Sequence, residues 1–253
     1  MNKKAIIEVK DLVTSYEDNI VLDKISFTTY ENEIFAVLGG SGCGKTTLLR
    51  HLLGLLRPDA GLISILGFDI TKANDDEMQP LREQIGMVFQ GAALFNSMTL
   101  AENISLPLEE YTDYPSRVIR DIVDWKLHIV GLDHAREYMP AELSGGMKKR
   151  AAIARAMVMD PKLLFFDEHT TGLDPVMAAE LDRIIIRLRN DLNITVVVVT
   201  HDLTSIRRIS DRAIMIADTQ IIASGSIKEM EQSSDSRVIS FFMKHDKEEV
   251  LIH

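Results

Sequence analysis

The sequence is poor in cysteine, in long apolar runs and in positive charge, and each shortage excludes something. It has one cysteine, Cys43, in 253 residues, so an internal disulfide is impossible and a reducing compartment suits the chain. No apolar run approaches the roughly 18 residues of a membrane span. The opening MNKKAIIEVKDLV turns charged again too soon for a secretory signal peptide and is not a Ser/Arg-rich transit sequence. With 28 Lys and Arg against 38 Asp and Glu, the formal net charge is −10, which argues against nucleic acid as a partner, because that needs a basic face. These absences point to a cytosolic protein that something else must anchor if it works at a membrane.

The chain is long enough to bury a full core, and 46% apolar with 26% charged residues is ordinary for a globular protein. AIIEVKDLVTSY and VLDKISFTTY alternate apolar and polar residues, the pattern of half-buried antiparallel strands. EIFAVL, IGMVFQ, KLLFFDE and ITVVVVTH are short, apolar and rich in β-branched or aromatic residues, and each ends in or just before a polar residue or a glycine cluster. Strands buried on both faces of a parallel sheet read this way, and groups at their C-terminal ends line the crevice where open α/β sheets bind ligands. KTTLLRHLLGLL carries leucines at helical spacing and is expected to run until the turn signal Arg57-Pro58-Asp59. Between Gln90 and Met159 the segments are amphipathic and helical. The expected organisation is α/β: a nucleotide-binding core with an antiparallel β subdomain over 1–90 and 160–225, an inserted helical subdomain over 91–159, and a tail over 226–253.

Strand, glycine loop and helix frame GGSGCGKT, Gly39 to Thr46, which fits G-x-x-x-x-G-K-[ST]. Gly39, Gly42 and Gly44 permit turns closed to other residues and a close approach to a polyphosphate. The loop N–H groups, those of Gly40, Ser41 and Cys43 included, form an anion nest, and the helix after it adds its positive end. Lys45 is placed for the β- and γ-phosphates, the Thr46 hydroxyl for Mg²⁺, and Thr47 for the α-phosphate. In FFDEHTTGLDP, Asp167 and Glu168 end an apolar strand beside His169. Taken alone, they read as a metal site, a general-base pair or a solvated strand end. With a phosphate loop upstream, Asp167 is expected to hold the Mg²⁺ and Glu168 to orient or deprotonate an attacking water. A zinc site using His169 lacks a second His or Cys at ligand spacing.

ELSGGMKKRAAIARAM, Glu142 to Met157, precedes the acidic strand and closely resembles the signature of ATP-binding-cassette (ABC) ATPases. The motifs stand in that family's order, and the resemblance covers about residues 6 to 227. It implies a P-loop NTPase fold and cofactors ATP and Mg²⁺. It also implies a head-to-tail dimer with a second copy, in which Ser144, Gly145 and Gly146 close over the nucleotide held by the other subunit. By the same resemblance Gln90 senses Mg²⁺ and the attacking water, and His201 contacts the γ-phosphate. Asp174 communicates across the dimer, and Tyr16 stacks on adenine. Two departures are visible: Met147 stands where the signature has Gln, and His169 where most relatives have proline. His169 is therefore expected to do no chemistry, and replacement by proline to preserve ATPase activity.

FQGAALFNSMTLAENISLPL, the methionine in ELSGGM and the ending GSIKEMEQSSDSRVISFF are similar to the ATPases of Mce/Mla-type lipid transporters. That resemblance implies a peripheral subunit at the cytoplasmic side of the bacterial inner membrane, powering phospholipid movement between inner and outer membranes. Its implied partners are a transmembrane permease, a periplasmic Mce lipid-binding protein and a small STAS-domain protein. The permease groove is expected around Gln90–Glu110, with Ala92, Ala93, Leu94 and Phe95 as an exposed apolar patch. Two other readings are an importer ATPase for a small solute and a soluble ABC ATPase of the iron–sulfur assembly type. DNA-repair types are set aside because no sustained heptads are present.

Overall fold

The alternating opening folds as a long antiparallel pair, β1 (Ala5–Tyr16) and β2 (Asn19–Tyr30), and the apolar run before the glycine cluster is β3 (Ile34–Leu38), buried throughout. This computed structural model describes the backbone of residues 3–250 and the side-chain surroundings of residues 3–244. Next come α1 (Lys45–Leu52), β4 (Ala60–Ile65), β5 (Phe68–Asp69), α2 (Asp75–Arg82) and β6 (Ile85–Val88). The middle of the chain forms α3 (Leu100–Tyr111), α4 (Ser116–Ile129), α5 (Gly145–Ala156), β7 (Leu163–Asp167), α6 (Pro175–Leu192) and β8 (Thr195–Val199). It closes with α7 (Leu203–Ile209), β9 (Arg212–Ala217), β10 (Gln220–Gly225), α8 (Ile227–Glu231) and α9 (Ser236–Val250).

Two units are distinguishable, and the chain passes from the first to the second at the end of α2 and back within β8. The first, Met1–Leu81 with Val197–His253, contains an antiparallel sheet of order β2-β1-β4-β5. Pairing of Ile7 with Ile65 and Val9 with Ile63 places four buried side chains on one face, as the period of two requires. Here too β10, β9 and β3 lie side by side, β3 and β9 parallel from Phe35 opposite Arg212 to Leu38 opposite Met215. Glu33, fully buried, accepts from the Tyr30 N–H at 2.7 Å and from Arg212 Nη1 at 3.2 Å. Burial pushes its carboxyl above the usual range, against the pull of those two donors.

The second unit, Arg82–Val196, carries the strand order β8-β7-β6 and helices α3 to α6. β6 and β7 are parallel, Met87 opposite Phe165. Thr99 and Glu102 form a capping box at the start of α3. Asn103, fully buried in that helix, accepts from the Phe95 N–H at 2.7 Å. Its Nδ2 donates to the carbonyls of Phe95, Met98 and Thr99. One amide thus fixes the loop leading into the helix.

The α/β class, the N-terminal antiparallel sheet and the helices between Gln90 and Met159 are all present, and the buried strands fall on the apolar runs. α1 is shorter than its leucine spacing predicts. It stops at Leu52 because Gly54 takes φ 68 and donates to the His51 carbonyl, while Leu55 donates to that of Arg50. That paired closure is the Schellman arrangement, which glycine adopts without a Cβ penalty.

Candidate nucleotide and hydrolysis site

In the first unit the glycine loop joins β3 to α1. Gly39 has φ 151, and a Cβ there would stand 2.4 Å from the Ile216 carbonyl oxygen and 2.5 Å from Cys43 Sγ. Gly44, the residue before α1, has φ 103, and its Cβ would meet Leu22 Cδ2 at 2.7 Å. No side chain therefore fits at either end of the loop. Lys45 is buried and its Nζ donates to the carbonyls of Gly39 and Gly40, each at 2.9 Å, so its cation lies across its own loop. The N-terminus of α1 has no side-chain cap bond and no acidic residue in its first turn. Thr46 is exposed and Thr47 half-buried. An uncapped helix end, a buried lysine and a glycine path closed to Cβ atoms fit a polyphosphate. Tyr16 ends β1 and is 44% exposed, leaving its ring open to a stacking partner. His201 is exposed in the turn between β8 and α7.

In the second unit Asp167 is the last residue of β7, and both it and Glu168 are half-buried. Glu168 takes φ 50, a left-handed conformation unusual for a side-chain-bearing residue. Its Oε2 accepts from the Thr171 hydroxyl at 3.2 Å. Gln90 lies just past β6 and is exposed, rather than standing at the strand end. Ser144 caps α5, accepting from the Met147 N–H at 3.3 Å, with Gly145 and Gly146 in the first turn. Asp174 caps α6, its Oδ1 accepting from the Val176 and Met177 N–H groups at 2.9 and 3.0 Å. Among the described residues no cluster of three or more His, Cys, Asp or Glu could hold a metal alone. Thr46, Gln90 and Asp167 are instead oxygen donors, at most one of them charged. Each offers the kind of oxygen that Mg²⁺ takes beside its waters and substrate phosphates.

A family model for ABC transporters matches residues 22–171, more than half of the chain. The chain belongs to the ABC transporter family. It is 42% identical over 236 residues to the intermembrane phospholipid transport system ATP-binding protein MlaF of Haemophilus influenzae, covering 93% of this chain and 89% of that protein. Among solved structures it resembles cbiO1 of Clostridium perfringens, part of the ABC transporter complex cbiONQ. That match has TM-score 0.85 and 32% identity and covers 91% of this chain and 92% of that one. It also resembles the ATP-binding cassette MJ0796 in a dimeric post-hydrolysis state bound to ADP and Pi, with TM-score 0.80, 28% identity, and 88% and 99% covered. As an ABC ATPase it binds nucleotide and hydrolyses ATP.

Three parts of this ABC ATPase were not foreseen. Lys149, on the buried face of α5, donates through Nζ to the carbonyl of Gln90 and, at 3.3 Å, to that of Glu168. Burial pulls its ammonium below the ordinary lysine value, while the carboxylates of Glu168 and Asp167 pull it back up. A lysine in register with buried Gly146 and Ile153 was the available signal, since that face of an amphipathic helix is normally apolar. The apolar patch after Gln90 is narrower than expected: Ala92 is buried and Leu94 half-buried, leaving Ala93 and Phe95 exposed. The carbonyls of Ala92 and Ala93 both accept from Arg155, at 3.1 and 2.7 Å.

The third part is the partner of His169. Its ring is 1% exposed, and Nε2 lies 3.1 Å from Oδ1 of the fully buried Asp182 in α6. The ring also meets Phe166 edge-on, centroids 5.9 Å apart. The expectation of preserved ATPase activity left stability aside, and proline there removes one of the contacts that satisfy a buried carboxylate. Loss of such a partner costs about 1–3 kcal/mol, so His169→Pro should lower the melting temperature by roughly 2–10 °C. Thermal denaturation checks this, and an unchanged midpoint would remove the structural role.

Proposed function

We propose that this chain is the ATP-hydrolysing subunit of a transporter that moves phospholipid between bacterial inner and outer membranes. The observation that carries the reading is the 42% identity, over 93% of the chain, to a protein of that system. The chain works as a head-to-tail pair with a second copy, docked on a separate permease at the cytoplasmic side of the inner membrane. A periplasmic Mce lipid-binding protein and a small STAS-domain protein complete the assembly. No described helix is long and apolar enough to cross a membrane, which accords with peripheral attachment through the permease.

Gly39–Thr47 holds the phosphates, with Lys45 releasing its own loop carbonyls to face the β- and γ-phosphates, and Tyr16 stacks on the adenine. Thr46, Asp167 and Gln90 would hold Mg²⁺, which would supply neutralisation of the charge developing on the phosphates. Glu168 accepts a hydrogen bond from water, whose oxygen attacks the γ-phosphorus in line as the bond to the β–γ bridging oxygen breaks. His201 contacts the γ-phosphate. Ser144, Gly145 and Gly146 close over the nucleotide of the other subunit, and Asp174 adjoins that boundary. The core over 1–90 and 160–225 carries the chemistry, the insert over 91–159 meets the permease near Phe95, and the segment 226–253 is appended to the core.

Co-expression with its permease, purification and mass spectrometry of the extracted complex test the transport reading. Phospholipid should co-purify in stoichiometric amount, and reconstituted complex should move a fluorescent phospholipid only with ATP. A complex free of lipid that instead retains a water-soluble solute would overturn it.

A further inference from the structure

Helix α5 reaches back to the chain segments beside it with two cations. Lys149 binds the Gln90 carbonyl and, more loosely, the Glu168 carbonyl. Arg155 binds the carbonyls of Ala92 and Ala93 at 3.1 and 2.7 Å. Three of the four residues so held, Ala92 (φ 61), Ala93 (φ 52) and Glu168 (φ 50), have left-handed backbones. Non-glycine residues keep that conformation only where their surroundings over-determine it, and a buried ammonium binding a carbonyl is a strong enough contact to do so. Lys149 is only 6% exposed, and its Nζ joins the Gln90 carbonyl to that of Glu168. A carbonyl held in place fixes the peptide plane, and with it the direction in which the Glu168 side chain leaves the backbone.

We infer that Lys149 is a positioning residue for ATP hydrolysis: its ammonium ties the Gln90 and Glu168 backbones together and so aims the Glu168 carboxylate. The inference rests on the reading of Glu168 as the group that orients water. Because Ser144 caps α5, the element that on the proposed reading closes over the partner's nucleotide would also set the carboxylate of its own subunit. The bonds from Lys149 to the Gln90 and Glu168 carbonyls bear on where Glu168 stands, so loss of the lysine should act on turnover and leave nucleotide affinity alone.

The test is Lys149→Met, which keeps the length and helix preference of the side chain and removes its donors. In the full chain kcat should fall about 10- to 100-fold, the size of effect that a misplacement near 1 Å produces. KM for ATP, and the dissociation constant of a fluorescent ATP analogue, should stay within about twofold of the parent. Lys149→Arg, which restores donors that can bridge two carbonyls, should recover most of the turnover. Normal turnover in Lys149→Met, a parallel loss of nucleotide affinity, or an arginine variant no better than methionine would each overturn the inference. If the methionine variant does not fold, Lys149→Leu, which also lacks any donor, should show the same split, and its normal turnover would be equally decisive. Glu168→Gln, measured alongside, separates the two layers. If it hydrolyses ATP normally, the reading of Glu168 fails, whereas if it is inactive while Lys149→Met is normal, only the role of Lys149 fails.

Discussion

Glu168→Gln should lower ATP turnover about 10²- to 10⁴-fold, the contribution typical of a positioned proton acceptor, while leaving nucleotide binding intact. The substitution changes little else. Glutamine has the same length, its amide oxygen can still accept from the Thr171 hydroxyl now 3.2 Å from Oε2, and the carbonyl that Lys149 contacts is unaffected. What disappears is a carboxylate able to take a hydrogen from water. If two copies close over ATP and reopen after hydrolysis, this variant should accumulate as an ATP-dependent dimer. Rapid-quench turnover and size-exclusion chromatography with and without ATP would read both effects. Turnover near that of the parent would remove Glu168 from the chemistry and return it to the status of a solvated residue after a buried strand.

Lys45→Ala should be as severe by a different route. The ammonium now donates two bonds of 2.9 Å to its own loop, and on the proposed reading ATP would exchange those neutral acceptors for phosphate oxygens. Charge-assisted bonds to phosphate are roughly twice as strong as neutral ones, and removing one such preorganised donor typically lowers kcat by about 10²- to 10³-fold. The fold itself should survive, because the glycine path and the burial of α1 against β4 do not depend on the ammonium. Thermal shift makes the distinction. A parent held at 100 times its dissociation constant gains about 2.7 kcal/mol from ATP, whereas Lys45→Ala should melt near the ligand-free parent and gain much less. A full ATP-induced shift together with normal turnover would exclude the role given to Lys45.

The motifs were legible because phosphate chemistry restricts local sequence. A loop that must bend where Cβ atoms cannot go shows itself as Gly39, Gly42 and Gly44, and a strand buried on both faces shows itself as KLLFFDE. Helix starts were equally local: Ser144 caps α5 as the serine before two glycines implies. Asp174 illustrates the boundary. Its place in GLDP was visible, but its two bonds to Val176 and Met177 depend on where α6 begins. The hairpin partners β9 and β10 went unmarked, since RAIMIA and QIIASG are too short and too mixed to stand out from their flanks.

The sequence by itself determined the family, the glycine loop and the acidic strand end, because each rests on residues a few positions apart. Only the tertiary structure decided that Lys149 binds the Gln90 and Glu168 carbonyls, that Arg155 holds Ala92 and Ala93, and that His169 answers Asp182. Gln90 lies 59 positions from Lys149, and Arg155 lies 62 from Ala93. Most of these contacts end on backbone carbonyls, which every residue type carries. An acceptor common to all residues leaves no mark in the sequence at its own position, so only the folded chain shows which carbonyl a buried cation reaches.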